Sequence, residues 1–172
     1  MKRVRWHFIF ILFAVVCINA CIKQEHYPDV PQIQFISFVT AYDTGKYAVN
    51  GTLSISFTDG DGDIGLRDRD TLPPYDTSGP YYYNFVLTFF NKVNGIYTQV
   101  DLHPPFSARI PILNPEYPGK AIKGVITYDT INLKLIPHPG YDTIRFDAFI
   151  YDRALNKSNV ISTPEIILKR PY

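Results

Sequence analysis

Apolar and polar residues alternate along several short segments of the chain, and this pattern predicts β-strands. Residues 51–58 read "GTLSISFT", in which every second side chain is apolar. The apolar face of that segment consists of Leu53, Ile55 and Phe57. Residues 142–152 show the clearest alternation, and their apolar face consists of Ile144, Phe146, Ala148 and Ile150. A period of two is typical of a strand with one face buried.

Further strands are predicted at residues 121–128, 131–137 and 160–168. Residues 81–90 carry apolar side chains on both faces, which is typical of a central strand that is covered on both sides. The dipeptide Asn94-Gly95 follows that segment and predicts a tight hairpin turn. Residues 101–119 are rich in proline, so we expect a long covering loop with one short edge strand near residues 108–113.

Seven or eight short strands, with turn signals between them and no amphipathic helix, predict an all-β fold. We expect a single immunoglobulin-like or fibronectin-like β-sandwich over residues 32–172, with a small β-barrel as the second choice. A chain of this length can bury roughly 70% of its unfolded surface in one core. A second domain is therefore not needed.

The N-terminus has the pattern of a secretory signal peptide over residues 1–20. Basic residues precede an apolar run at residues 8–18, which is too short to span a bilayer as a helix. The sequence "INAC" at its end resembles the lipobox of bacterial lipoproteins, and the resemblance implies that Cys21 becomes the lipidated first residue of the mature chain. Ordinary cleavage that leaves Cys21 as a free thiol is the alternative. Residues 21–31 are then expected to be a lipidated tether.

Removal of residues 1–20 changes both the charge and the cysteine content. The segment contains three of the 17 Lys and Arg residues and none of the 16 Asp and Glu residues. A mature chain with a slight excess of acid does not favour a nucleic-acid-binding surface. Only Cys21 would remain of the two cysteines, so we expect no disulfide within the domain.

The acids are concentrated in one turn, "FTDGDGDIG" at residues 57–65, which contains Asp59, Asp61 and Asp63. Three carboxylates about 5 Å apart repel by roughly 3 kcal/mol per pair at an effective dielectric constant of 20. An ordered loop would need a counter-charge. Either the loop is mobile, or Arg67 and Arg69 neutralise it, or a cation lies between the aspartates. Calcium suits the third case because it takes six to eight oxygen ligands in flexible geometry.

A second turn, "DRALNKSN" at residues 152–159, comes after the predicted strand 142–152. In an immunoglobulin-type sandwich the loops after the second and sixth strands lie at the same end. We therefore expect Asp152 and Asn156 to supply further oxygen ligands to a calcium ion. The alternative is a metal-free loop, in which the Asp-Gly pairs only form turns and Asp152 and Asn156 only bind backbone amides.

The two turns together, "FTDGDGDIG" and "FDAFIYDRALNKSN", resemble a group of uncharacterised lipoproteins of Gram-negative bacteria built as single immunoglobulin-like domains. The second turn also resembles the Asp-x-Ala-Gly-Asn turn of bacterial adhesins, with Leu155 in place of the glycine. The resemblance implies a lipid-anchored protein of the outer membrane. Whether the domain faces the periplasm or the exterior is left open.

Function is less constrained than fold. No nucleophile elbow, phosphate-binding glycine loop or zinc-binding helix motif occurs, so we expect a non-enzymatic binding or assembly module at the cell envelope. The partner would be an envelope protein or a glycan. A carbohydrate-binding accessory lipoprotein is the alternative, with Tyr75, Tyr81 and Tyr82 as possible contacts for sugar rings. A hydrolase that uses two carboxylates is a distant third.

Overall fold

The computed structural model describes residues 26–45, 47–116, 118–137 and 140–169. The predicted signal peptide, Cys21 and the first part of the predicted tether lie outside the described residues. The described residues form eight strands and one short 3-10 helix: β1 Gln32–Tyr42, β2 Ala48–Asp59, β3 Phe85–Val93, β4 Ile96–Gln99, β5 Ile122–Asn132, the 3-10 helix Leu133–Leu135, β6 Thr143–Ile150, β7 Ile161–Ser162 and β8 Ile166–Ile167. No helix within these ranges is long and apolar enough to cross a membrane.

The strands form two antiparallel sheets, and the predicted β-sandwich is confirmed. One sheet has the order β1-β2-β5, and the other has the order β4-β3-β6-β7 with β8 also paired to β6. The sheets do not close into one ring, so the β-barrel is not the fold.

The core lies between the two sheets because each strand turns its apolar face inward. The inward side chains of β2 and β6 are almost completely buried, and they are the residues that the alternation predicted. Phe38 on β1 stacks on Phe146 on β6 with ring centroids 5.7 Å apart, which links the two layers. Burial of one such side chain contributes about 1.5–3 kcal/mol.

The strand predicted at residues 81–90 begins only at Phe85. Tyr81, Tyr82 and Tyr83 lie in the turn before it, because the buried Asn84 side chain ties the start of β3 to the proline-rich loop. Asn84 accepts a hydrogen bond from Ile110 N at 2.6 Å and donates one to Ile110 O at 3.2 Å. β3 is an inner strand as expected, but one of its faces is buried and the other is half-buried.

Four other segments differ from the prediction, and one of them, residues 160–168, forms the two short strands β7 and β8 in place of one strand. Residues 131–137 are not a separate strand, since β5 continues to Asn132 and the chain then turns into the 3-10 helix that the Asn132 side chain caps. Residues 108–113 form only isolated bridges, Ala108 to Phe85 and Pro111 to Leu66. β1 was not predicted, because a register shift between Phe35 and Ser37 interrupts its alternation.

The sheet edges are finished in different ways. At the start of β1, the Asn159 side chain donates to Ile33 O at 2.9 Å and accepts from Ile33 N at 2.8 Å, in the manner of a neighbouring strand. β4 is a short edge strand, and the hairpin before it turns at Asn94 and Gly95 with φ of 51° and 83°, as predicted. β5 is the other edge strand of the three-stranded sheet, and like β1 it has 11 residues.

Candidate metal centre

Two buried aspartates stand at the ends of the inward-facing rows of β2 and β6. Asp59 is the last residue of β2 and continues the row of Leu53, Ile55 and Phe57, with none of its surface exposed. Asp152 lies two residues beyond β6, continues the inward row that ends at Ile150, and is 1% exposed. These strands belong to opposite sheets, and both carboxylates lie at the same end of the core between them.

Asp63 joins them from the turn after β2. Asp59, Asp63 and Asp152 each offer a carboxylate oxygen, and the three oxygens lie within 4.8 Å of one another. Asp63 also links the two turns, since its backbone N donates to Asp59 Oδ2 at 2.9 Å and its Oδ2 accepts from Ala154 N at 3.0 Å. The turns after the second and sixth strands therefore meet, and their buried acidic cluster could hold a metal ion.

The structure places the other two predicted ligands around this cluster. Asp61 is half-buried, and its charge acts on Asp59, Asp63 and Asp152. Asn156 lies directly against Asp152, where its backbone N donates to Oδ1 at 2.7 Å and its side-chain Nδ2 donates to Oδ2 at 2.8 Å. Asn156 thus fixes the orientation of the Asp152 carboxylate.

Three carboxylate oxygens at this site have no hydrogen-bond partner from the protein although they are buried. They are Oδ1 of Asp59, Oδ1 of Asp61 and Oδ1 of Asp63. An unsatisfied buried polar group costs about 1–3 kcal/mol, and a charged one costs more. The set consists of hard oxygen donors, which are the ligands that calcium and magnesium prefer.

The electrostatics of the metal-free site are unfavourable to ionised carboxylates. Burial, followed by the charges of Asp61 and Asp63, raises the pKa of Asp59 to about 7. Burial, followed by the charge of Asp152, raises the pKa of Asp63 to about 6. Burial also raises the pKa of Asp152, although its hydrogen bonds from Asn156 act in the opposite direction. A bound cation would reverse these effects, because it favours the ionised form of each group.

The backbone of the two turns adopts conformations that suit this arrangement. Gly62 and Gly65 have φ of 68° and 119°, and a side chain at Gly62 would collide with the Lys120 carbonyl oxygen. Gly60 N donates to Pro28 O at 2.8 Å, so the acidic turn also contacts the segment before β1. Leu155 has φ of 69° and takes the left-handed conformation that glycine adopts more readily than leucine.

The arginines beside the acidic turn are exposed or paired with another group. Arg67 and Arg69, which the sequence offered as counter-charges, are exposed, and Arg153 forms an ion pair with Asp70. The hydrogen bond and the charge of Arg153, with a backbone hydrogen bond from Arg67, lower the pKa of Asp70.

Sequence reasoning missed Arg109, which holds the long loop beside the cluster. Its guanidinium donates to the carbonyl oxygens of Tyr82 at 2.7 Å, Asp70 at 3.0 Å, Arg67 at 3.3 Å and Tyr75 at 3.5 Å. A single arginine in a proline-rich segment gives no sequence signal for such distant contacts.

The three tyrosines proposed as sugar contacts each contact another part of the protein. The Tyr75 hydroxyl donates to Arg153 O at 2.6 Å, and the Tyr82 ring lies 4.9 Å from the Arg109 guanidinium. The Tyr81 ring packs edge-on against Tyr151, with centroids 4.9 Å apart and an interplanar angle of 76°. Each ring therefore already has a protein partner.

The chain matches no protein-family model, no curated protein and no solved structure. Its function is therefore inferred from the geometry of the site.

Proposed function

We propose that this protein is a non-enzymatic lipoprotein, anchored to the outer membrane through Cys21, whose β-sandwich is stabilised by one calcium ion and acts as a binding or assembly module at the cell envelope. The observation that carries the proposal is the set of buried, unpartnered carboxylate oxygens of Asp59, Asp61 and Asp63 beside Asp152. Such a set is costly without a cation and is satisfied by one.

Calcium fits this set better than the other common metals. Zinc sites in proteins are mostly built with histidine or cysteine, and the cluster of Asp59, Asp63 and Asp152 contains neither. Magnesium requires near-ideal octahedral geometry and retains several waters, whereas calcium accepts ligands from loops in flexible geometry. The ligands come from two turns on opposite sheets, so the ion would tie the sheets together at one end.

The carbohydrate-binding alternative receives less support from the ring geometry. Tyr81 and Phe149 each pack against Tyr151 at interplanar angles of 76° and 89°, so these rings share no flat platform on which a sugar could stack. A hydrolase would need its carboxylates open to substrate, and Asp59 has no exposed surface. Both alternatives stay weaker than a binding or assembly role.

Isothermal titration of chelator-treated protein tests the metal assignment. We expect one calcium per chain, with a dissociation constant in the range of about 10⁻⁴–10⁻³ M that is typical of extracellular modules, and weaker binding of magnesium. Asp63→Asn should abolish the binding. Asp68→Asn, which removes an exposed charge nearby, should leave it unchanged. Absence of calcium binding by the unaltered protein would contradict the metal assignment and favour the metal-free loop.

The anchor is tested separately by mass spectrometry of the protein purified from membranes. The mature chain should begin at Cys21 and carry the mass of attached acyl chains, and Cys21→Ser should release the protein from the membrane fraction. A mature chain with an unmodified Cys21 would contradict the proposed anchor.

A further inference from the structure

The outer faces of the two sheets carry different side chains. The face formed by β3 and β6 is rich in charge, since Lys92 forms an ion pair with Glu165 and Arg145 forms one with Asp147. In the other sheet, β1 contains no charged residue, and the only one in β2, Asp59, points inward. The outward row of β2 consists entirely of short polar side chains: Asn50, Thr52, Ser54, Ser56 and Thr58.

An open cleft of about 650 Å³ lies on this face, at the end nearest the metal centre. Antiparallel pairing arranges its outward side chains in two rows across β1, β2 and β5, which are Gln32–Thr58–Lys123 and Gln34–Ser56–Val125. Neighbouring strands lie about 4.8 Å apart, and successive outward side chains of one strand lie about 6.8 Å apart. The volume of the cleft is within the range of small-ligand sites.

The polar groups on the floor of the cleft are available to a ligand. Within the described residues, the hydroxyls of Ser56 and Thr58 and the amide of Gln34 form no hydrogen bond. Ser56 and Thr58 are also half-buried, so their neighbours restrict how they move. Val125 is 60% exposed beside them and provides an apolar contact. Three unused polar groups therefore surround one apolar side chain.

We propose that this cleft binds a neutral oligosaccharide. Hydroxyl and amide side chains both donate and accept hydrogen bonds, and so do the hydroxyl groups of a sugar. A sugar ring also has apolar C–H groups, which Val125 contacts. The proposal rests on the proposed binding role and gives that role a ligand class and a surface. It involves neither the metal centre nor the three tyrosines considered above.

The chemistry of the cleft favours a sugar over an ionic ligand or a protein. Nucleic acids and other phosphate-bearing ligands are bound through clusters of lysine and arginine. The residues that line the cleft include one cation, Lys123, which already interacts with another group of the protein. Protein partners are usually held by aromatic and arginine side chains. The only aromatic residue among those that line the cleft is Phe57, whose ring is buried in the core.

Titration of the full-length protein with neutral trisaccharides tests the proposal. The panel contains trisaccharides of α-linked glucose, β-linked glucose, mannose, xylose and N-acetylglucosamine, and the detergent has no sugar headgroup. We expect at least one of them to bind with a dissociation constant of about 0.1–1 mM, which a few hydrogen bonds in an open cleft can provide. Absence of binding by the whole panel at about 10 mM overturns the proposal.

Heteronuclear NMR of the same titration shows where the sugar binds. The resonances that shift should belong to residues 32–34, 56–58 and 123–125, which line the cleft. Shifts centred on the long loop at residues 70–83 would contradict this site, because that loop carries the tyrosines.

Removal of single hydroxyl groups tests the contacts. Ser56→Ala and Thr58→Val should each weaken binding about fivefold, and the double variant about twentyfold. Thr52→Val is the matched control, because Thr52 lies on the same outward row about 20 Å from Thr58 and outside the cleft. Melting curves show whether each variant keeps its fold. A double variant that binds as well as the original protein contradicts the site, and so does an equal loss in Thr52→Val.

Repetition of the titration in chelator separates this proposal from the metal assignment. The sugar should bind with an affinity within about threefold of that in calcium, since the cleft contains no proposed metal ligand. Loss of sugar binding in chelator would contradict the cleft as the site. Sugar binding by a protein that binds no calcium would refute the metal assignment alone.

Discussion

Replacement of Asp59 by asparagine separates the two effects of its carboxylate. In the metal-free protein the ionised carboxylate destabilises the folded state, since burial and the charges of Asp61 and Asp63 raise its pKa to about 7. Holding such a group ionised above pH 7 costs the folded state about 4 kcal/mol relative to an ordinary pKa of 3.8. Asparagine has the same shape and carries no charge.

The asparagine can also satisfy the local hydrogen bonds. Its carbonyl oxygen can accept the hydrogen bond that Asp59 Oδ2 now receives from Asp63 N at 2.9 Å. Its amide group replaces the unpartnered Oδ1 of Asp59 with a donor beside the carboxylates of Asp63 and Asp152. We therefore expect Asp59→Asn to stabilise the metal-free protein by about 2 kcal/mol or more, which is a rise of about 4–8 °C in melting temperature.

Calcium should raise the melting temperature of the unaltered protein but not that of Asp59→Asn. With a dissociation constant of about 0.1 mM, about 2 mM calcium adds roughly 1.8 kcal/mol to the unaltered protein, or about 4–7 °C. Asp59→Asn loses a charged ligand, so its melting temperature should hardly respond to calcium. The variant is thus the more stable protein in chelator and gains nothing when the ion is added.

Thermal unfolding at pH 7.5, in chelator and in calcium, measures both differences. Asp68→Asn is the matched control, because it makes the same chemical change at an exposed position of the neighbouring segment and should shift neither melt. If Asp59→Asn melts at a lower temperature than the original protein in chelator, the buried carboxylate does not destabilise the metal-free protein, and the reasoning from its burial and charge is wrong.

Two further outcomes are expected. The pKa values of Asp59 and Asp63 are raised to about 7 and about 6, so in chelator the folded protein binds more protons than the unfolded chain between about pH 4 and pH 7. The free energy of unfolding, measured by urea denaturation, should therefore fall as the pH rises through that range. Added calcium should reduce this fall. A stability that rises over the same window in chelator contradicts this. Gly62→Ala should lower the free energy of unfolding by more than about 2 kcal/mol, because φ at this position is 68° and the added methyl group would collide with the Lys120 carbonyl oxygen. Gly119→Ala is the control, since φ there is 76° but the space around it is open. It should lower the free energy of unfolding by about 1–2 kcal/mol. Equal losses of stability in the two alanine variants would show that the close approach at Gly62 does not matter.

The strands and the meeting of the two turns could be predicted because both depend on local periodicity. Alternation places Leu53, Ile55 and Phe57 inward, and one further step places Asp59 inward as well. The same step beyond Ile150 reaches Asp152. An aspartate at the inward position of a strand end is therefore a signal that the sequence contains, provided that the topology brings the two strand ends together.

The rest depends on contacts between residues far apart in the chain. Arg153 is 83 residues from its ion-pair partner Asp70, and Arg109 reaches carbonyl groups up to 42 residues away. Nothing in the local pattern around these arginines distinguishes them from the exposed Arg67 and Arg69. The positive φ of Leu155 could not be predicted either, because a leucine rarely takes the left-handed conformation that this turn requires.

The amide of Asn159 limits how a further strand could pair beside β1. By occupying both backbone groups of Ile33, it removes one rung from the ladder that an incoming strand would need at that edge. The register shift between Phe35 and Ser37 follows directly, so the first half of this edge offers an incoming strand no regular run of free backbone groups.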